Sequence, residues 1–199
     1  MFPTTIWTQI HQAGAWDEKA LNEFAVRYRP PVLAYLRRRG FNDAAAEDLC
    51  QDVFLRVLKG DVLEKADRTR GRFRSLLLTV TTRTVRDQLR KRTEAPGGAP
   101  GEDFAEPQAP RDDDEFDSSW ALHLTERALE RMREQAPEAF DLLRAHLGGD
   151  KQDRQRLWRA RQKLASLLRH EVALTCASPG DLDEELAHLA AFLQPAKNP

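Results

Sequence analysis

Apolar positions along the chain recur every three or four residues, and strict strand-like alternation is nearly absent. Leu21, Phe24, Ala25 and Tyr28 form the first stripe of an amphipathic helix. Pro30-Pro31 should kink or break it, after which Val32, Leu33 and Leu36 carry the stripe onward. Gly40 reads as a C′ stop behind the cations Arg37, Arg38 and Arg39, and Asp43 as the N-cap of the next helix. That helix carries Leu49, Val53, Phe54, Val57 and Leu58 and ends near Gly60. A polar loop over 61–71 leads into a helix over about 73–92, with Leu76, Leu77, Val80, Val85 and Leu89 inward.

Residues 94–118 are rich in Pro, Gly and acid and read as a flexible linker with little to bury. Helical spacing resumes at Ser119, where Trp120, Leu124, Ala128 and Met132 fall every fourth residue. Pro137 should open a short helix carrying Phe140, Leu143 and Leu147, with Gly148-Gly149 as its stop. Asp150 then caps a long helix whose inward set is Leu157, Ala160, Leu164, Leu167, Leu168 and Val172. Ser178-Pro179 starts a last helix with Leu182, Leu186, Leu189 and Leu193 in line. The expected fold is all-α: two small helical domains, 1–93 and 119–199, joined by the acidic linker 94–118.

Composition alters this picture through the order of its charges. The formal net charge is only -1, yet Arg68, Arg70, Arg72, Arg74, Arg83, Arg86, Arg90, Lys91 and Arg92 face a single acid, Asp87, within 68–92. The linker reverses the sign, and a second basic run follows at Lys151, Arg154, Arg156, Arg159, Arg161 and Lys163. Basic blocks separated by an acidic one point to a polyanionic partner. Cys50 and Cys176 lack CxxC spacing and suit reduced thiols. The N-terminal stretch does not match a signal peptide, and no apolar run approaches membrane-spanning length. A cytoplasmic location without membrane attachment is therefore expected.

Several arrangements that would carry catalysis are missing from the sequence. The five histidines show no metal-ligand spacing with each other or with the cysteines. Gly-rich phosphate loops, GxSxG and HExxH do not occur. No catalytic residue, metal site or cofactor is expected, and the chain does not read as an enzyme.

The chemistry that remains belongs to the basic blocks. Arginines on a loop entering a helix N-terminus suit phosphate contact, because side chains and backbone donors act on one anion. Arg83, Arg86 and Arg90 continue the basic face along the helix, with Thr79 and Thr82 as small polar groups beside them. Asp87 reads as an i+3 or i+4 partner of Arg83 or Arg90 rather than a base contact. Trp158, between Leu157 and Arg159, reads as either core or a surface anchor, with core as the default.

Three segments in order carry a family resemblance: Ala46-Glu-Asp-Leu-Cys-Gln-Asp-Val-Phe54, Gly71-Arg-Phe-Arg-Ser-Leu-Leu77 and Val85-Arg-Asp-Gln-Leu-Arg90. Over about 16–92 the chain resembles region 2 of the bacterial sigma-70 family, in its compact extracytoplasmic-function group. The resemblance implies that Glu47, Asp48, Gln51 and Phe54 dock on core RNA polymerase. It implies that Arg68, Arg70, Arg72, Arg74, Thr79, Arg83, Arg86 and Arg90 bind and melt the minus-ten element of promoter DNA, holding an extruded base. An anti-sigma factor is a candidate further partner.

The segment Arg156-Leu-Trp-Arg-Ala-Arg-Gln-Lys-Leu164 resembles the end of the region 4 recognition helix, which would give Arg156, Arg159 and Arg161 to DNA. The family's preceding helix and turn, about 20 residues, are missing from its helix-turn-helix. Two alternatives stay open at this point: a degenerate sigma or polymerase-binding regulator without specific minus-thirty-five recognition, and a generic helical DNA-binding protein.

Overall fold

A computed structural model describes residues 18–58, 73–94, 109–176 and 178–193. The described residues form seven helices and no strand. They are α1 (Glu18–Arg38), α2 (Asp43–Leu58), α3 (Phe73–Glu94), α4 (Ala109–Gln135), α5 (Pro137–Leu147), α6 (Arg154–Ala173) and α7 (Pro179–Leu193). The chain divides between Trp120 and Ala121, part-way along α4, into an N-terminal and a C-terminal unit.

The proline pair does not end α1, which runs unbroken through Pro30 and Pro31. Each proline forfeits a backbone hydrogen bond, at about 3 kcal/mol in a helix interior. Phe24 and Tyr28 before the pair, and Val32, Leu33, Tyr35 and Leu36 after it, are all buried. At about 1.5–3 kcal/mol for each large apolar side chain, that burial outweighs the loss. The helix stops where expected: Gly40 adopts φ 83°, Phe41 N–H donates to the Leu36 carbonyl and Gly40 N–H to that of Arg37. This is a Schellman motif, with Phe41 buried as its apolar lock.

The cap of α2 is Asn42, not Asp43: its Oδ1 accepts from Ala45 N–H at 2.9 Å. Asp43 instead receives Arg37 Nε at 2.8 Å, tying the end of α1 to the start of α2. Ala46, Leu49, Cys50, Val53 and Val57 form the inward face of α2. On α3 the buried set is Phe73, Arg74, Leu77, Leu78, Val80, Thr81, Thr84 and Val85, while Leu76 and Leu89 are only half-buried. Thr81 and Thr84 enter the core because their hydroxyls donate to the carbonyls of Leu77 and Val80, four residues back, at 2.7 and 2.8 Å.

A helix starts inside the expected linker 94–118. Glu94 closes α3, and α4 begins at Ala109, ten residues before Ser119; residues 95–108 lie outside the described residues. Phe116 explains the early start. It is fully buried, with its ring edge-on to Tyr35 and stacked on Trp120, which in turn stacks on Tyr28. Phe24 and Phe73 extend this cluster. The N-terminal unit is therefore closed by the first half of α4, and an aromatic cluster runs through its core.

The C-terminal unit packs small and aliphatic residues. Ala128 and Met132 of α4, Leu143 of α5, and Leu157, Ala160 and Leu167 of α6 form its core. Pro137 occupies the first turn of α5 as expected. Gly149, at φ 98°, closes a second Schellman motif in which Asp150 N–H donates to the Ala145 carbonyl. Asp150 is thereby used to end α5, and the cap of α6 is Asp153, which accepts from Arg156 N–H at 2.8 Å. Ser178 caps α7: its Oγ accepts from Asp181 N–H and donates to the Asp181 carboxylate. Two expected core residues are outside: Leu147 is 86% and Trp158 61% exposed.

Candidate docking and nucleic-acid faces

Two faces of the N-terminal unit carry the residues singled out in the sequence. The first is a groove between α1 and α2. Burying Ala46, Leu49, Cys50, Val53 and Val57 fixes the rotation of α2, so residues 47, 48, 51 and 54 face away from the innermost core. Glu47, Asp48, Gln51 and Phe54 all line this one groove, of about 370 Å³, with Phe24, Ala25, Arg29, Cys50 and Leu58. Glu47 is ion-paired with Arg29 across it. Asp48 and Gln51 are exposed, and Phe54 is half-buried with its ring edge-on to Phe24. The groove thus has an apolar floor and an acidic, amide-bearing lip. The Cys50 thiol in that floor is pushed up to about 12, chiefly by burial, with Glu47 adding to the rise and Arg29 opposing it.

The second face lies on α3. Thr79, Arg83, Arg86 and Arg90 are exposed at three- and four-residue spacing and share one strip opposite the buried residues. Thr79 donates its hydroxyl to the Ser75 carbonyl at 2.8 Å, leaving oxygen lone pairs directed outward as acceptors. Thr82 is held the same way against Leu78. Asp87 receives Arg56 Nη1 of α2 at 2.8 Å, a cross-helix partner that in-helix spacing alone does not suggest. This bond fastens the rigid frame behind the basic strip.

Arg74 does not belong to that strip. It is 6% exposed and ion-paired with the equally buried Asp117 of α4. The pair forms because Phe73 and Phe116, adjacent in sequence to the two charged residues, are both core. A guanidinium so enclosed is structural, so Arg74 is withdrawn from the DNA-binding set. Asp117 and Phe116 are the residues that sequence reasoning missed. The signal was there: Phe116 lies four residues before Trp120 and extends the stripe 120, 124, 128, 132 by one step. Arg68, Arg70 and Arg72 lie outside the described residues.

In the C-terminal unit, Arg156, Arg159 and Arg161 are exposed on α6. Arg161 Nη2 lies 3.2 Å from His146 Nε2 of α5. A six-residue connection, 148–153, joins α5 directly to α6, and the two pack through Leu143, Leu157 and Ala160. Among the described residues no group of His, Cys, Asp and Glu could hold a metal ion, and no helix is long and apolar enough to cross a membrane.

The N-terminal unit is all-helical, with an acidic-lipped groove on one helix pair and a basic strip on the next helix. The sequence model of Sigma-70 region 2 matches residues 24–94. The chain is also 33% identical over 135 residues to RNA polymerase sigma factor CarQ of Myxococcus xanthus, covering 65% of this chain and 70% of that protein. No solved structure matches. The chain belongs to the sigma-70 family, as a sigma factor of the extracytoplasmic-function type; the family serves transcription initiation and is not enzymatic.

Proposed function

We propose that the chain binds core RNA polymerase through the α1–α2 groove and recognises and melts the minus-ten promoter element with the basic strip of α3. One observation carries this reading: Glu47, Asp48, Gln51 and Phe54 line a single groove, while Thr79, Arg83, Arg86 and Arg90 share one exposed strip. Arg68, Arg70 and Arg72, just upstream of α3, supply further phosphate contacts. Melting then draws on binding energy alone: cations hold the backbone while a stiff helix supports an unstacked base. The protein acts in the cytoplasm, where its partners are core polymerase and promoter DNA, with an anti-sigma factor as a further regulatory partner.

Asp48→Lys tests the docking half, because Asp48 is exposed and its reversal leaves the Arg29–Glu47 pair intact. The variant is expected to lose co-purification with core polymerase while keeping its helical content. Retained core binding by both Asp48→Lys and Glu47→Lys removes the docking assignment. Runoff transcription with Arg83→Gln and Arg86→Gln tests the DNA half, with loss of discrete transcripts expected despite normal core binding.

A second reading concerns the far end of the chain. The helix that directly precedes basic α6 is α5, and α5 is committed to the aliphatic core. This favours a sigma that positions polymerase through the minus-ten element with little minus-thirty-five reading by Arg156, Arg159 and Arg161. Discrete start sites on a promoter library whose minus-thirty-five positions are scrambled would support it. Strict dependence on those positions would restore a full region 4.

A further inference from the structure

We propose that the exposed face of α6 centred on Trp158 is a binding site for single-stranded nucleic acid, engaging unpaired bases by stacking rather than reading a duplex groove. Burial of Leu157, Ala160 and Leu167 fixes the rotation of α6. Arg154, Arg161 and Gln162 then lie three or four residues from Trp158 on its outer side. Trp158 is 61% exposed and its ring makes no aromatic or cation contact among the described residues. Arg154, Arg156 and Arg159 form no ion pair among the described residues, and no acid occurs between Arg154 and His170.

A large indole left outside costs hydration free energy that a monomeric core would normally recover. Here it lies in the positive field of the exposed cations Arg154, Arg159 and Arg161. That field excludes cationic and disfavours purely apolar partners, and it concentrates polyanions. Among polyanions, an indole ring offers little to a base pair's edges, which are read by hydrogen-bonding side chains. It offers a stacking platform to an unpaired base, whatever that base is. The flanking cations track the phosphates. The site lies on the C-terminal unit and is independent of the docking groove and the α3 strip.

The test uses the full chain with Trp7→Phe and Trp16→Phe, so that indole emission comes from Trp158 and the buried Trp120. Titration with a twelve-residue oligothymidylate should quench and saturate the exposed component, with much weaker quenching by the same length of duplex. In the native sequence, Trp158→Ala should weaken the α6 contribution to oligothymidylate binding about tenfold, while Trp158→Phe restores most of it. That contribution is isolated by repeating the measurement in an Arg83→Gln, Arg86→Gln background. Arg154→Gln with Arg161→Gln should lower the slope of log K against log salt by about 0.7 for each phosphate no longer neutralised. Unchanged helicity and melting temperature are expected of Trp158→Ala, because the side chain is outside. Equal or stronger quenching by duplex overturns the proposal, as does unaltered affinity of Trp158→Ala. A response to polyglutamate with none to oligothymidylate also overturns it, and assigns the face to an acidic protein segment.

Discussion

The two units solve the packing of helices with different materials. In the N-terminal unit Phe24, Tyr28, Tyr35, Phe73, Phe116 and Trp120 lock together edge-on and stacked, with ring centroids 4.4–6.0 Å apart. In the C-terminal unit Ala128, Met132, Leu143, Leu157, Ala160 and Leu167 let helices approach closely but impose little direction. Aromatic pairs add about 0.5–1.5 kcal/mol each beyond their buried area and favour particular angles. The unit that presents the α3 strip is thus the one with the more directional core. Under the proposed function, this suits a surface that holds its shape against DNA.

Removing a ring from the first core should have the largest effect. Phe116→Ala deletes a fully buried phenyl that packs on Tyr35 and Trp120 and should cost about 3–5 kcal/mol. Urea unfolding followed by Trp120 emission checks this. Phe140→Ala, at a half-buried site of the second core, should cost clearly less. If both variants lose equally, the contrast between the cores is wrong.

The charged pairs sharpen the same comparison. Asp117→Ala leaves Arg74 enclosed without that carboxylate and should cost about 3 kcal/mol, since half of a buried pair is worse than none. Glu171 of α6 is fully buried between Arg127 at 3.0 Å and Arg131 at 2.8 Å. Those arginines keep 20% and 28% of their side-chain surface exposed. Water can therefore reach them when the carboxylate goes, and Glu171→Gln should cost less, about 2 kcal/mol. Hydrogen exchange resolved by peptide would place the first loss in α1, α3 and the start of α4, and the second in α4 and α6. Gly149→Ala is smaller again, about 1–2 kcal/mol, because φ 98° is unfavourable to a Cβ, although nothing stands within 4 Å of the added atom.

How far the sequence could be read follows the same physics. Helix positions were legible wherever apolar spacing ran unbroken, and both glycine stops were legible because left-handed backbone has few other tenants. The caps slipped, from Asp43 to Asn42 and from Asp150 to Asp153, because Asp and Asn are near-equivalent as caps and only geometry decides between neighbours. Continuity of α1 through Pro30-Pro31 and burial of Arg74 depend on partners distant in sequence, which local propensity does not report. The acid content of 112–117 hid Phe116 in the same way: composition described the segment, and one aromatic residue decided its structure. Of the docking set, all four residues reached one groove because a single helix face carries them. The exposed Trp158 ran against hydrophobic expectation, and a residue that breaks a local rule without a packing reason is where function is best sought.

The smallest expected effect at neutral pH concerns Cys50. Its thiol is held to about 12, against 9.0 for an ordinary thiol, mainly because the α1–α2 packing excludes water from the charged form. The folded state therefore keeps a proton that the unfolded state gives up first. Below about 9 both states are protonated and the group adds no pH dependence. Between about 9 and 12 the unfolded state loses its proton while the folded state retains it, so this thiol makes stability fall as pH rises. Cys50→Ala should show a small constant penalty from reduced packing at pH 7–8. Its disadvantage relative to the parent should then shrink above pH 9, as the parent alone carries the alkaline loss. Thiol titration with a disulfide reagent at pH 8 supplies the independent check: Cys50 should react only as fast as the N-terminal unit opens. Fast labelling of Cys50 in the folded protein would mean that water enters the groove floor. The aromatic core would then be less tightly closed than its ring stacking implies.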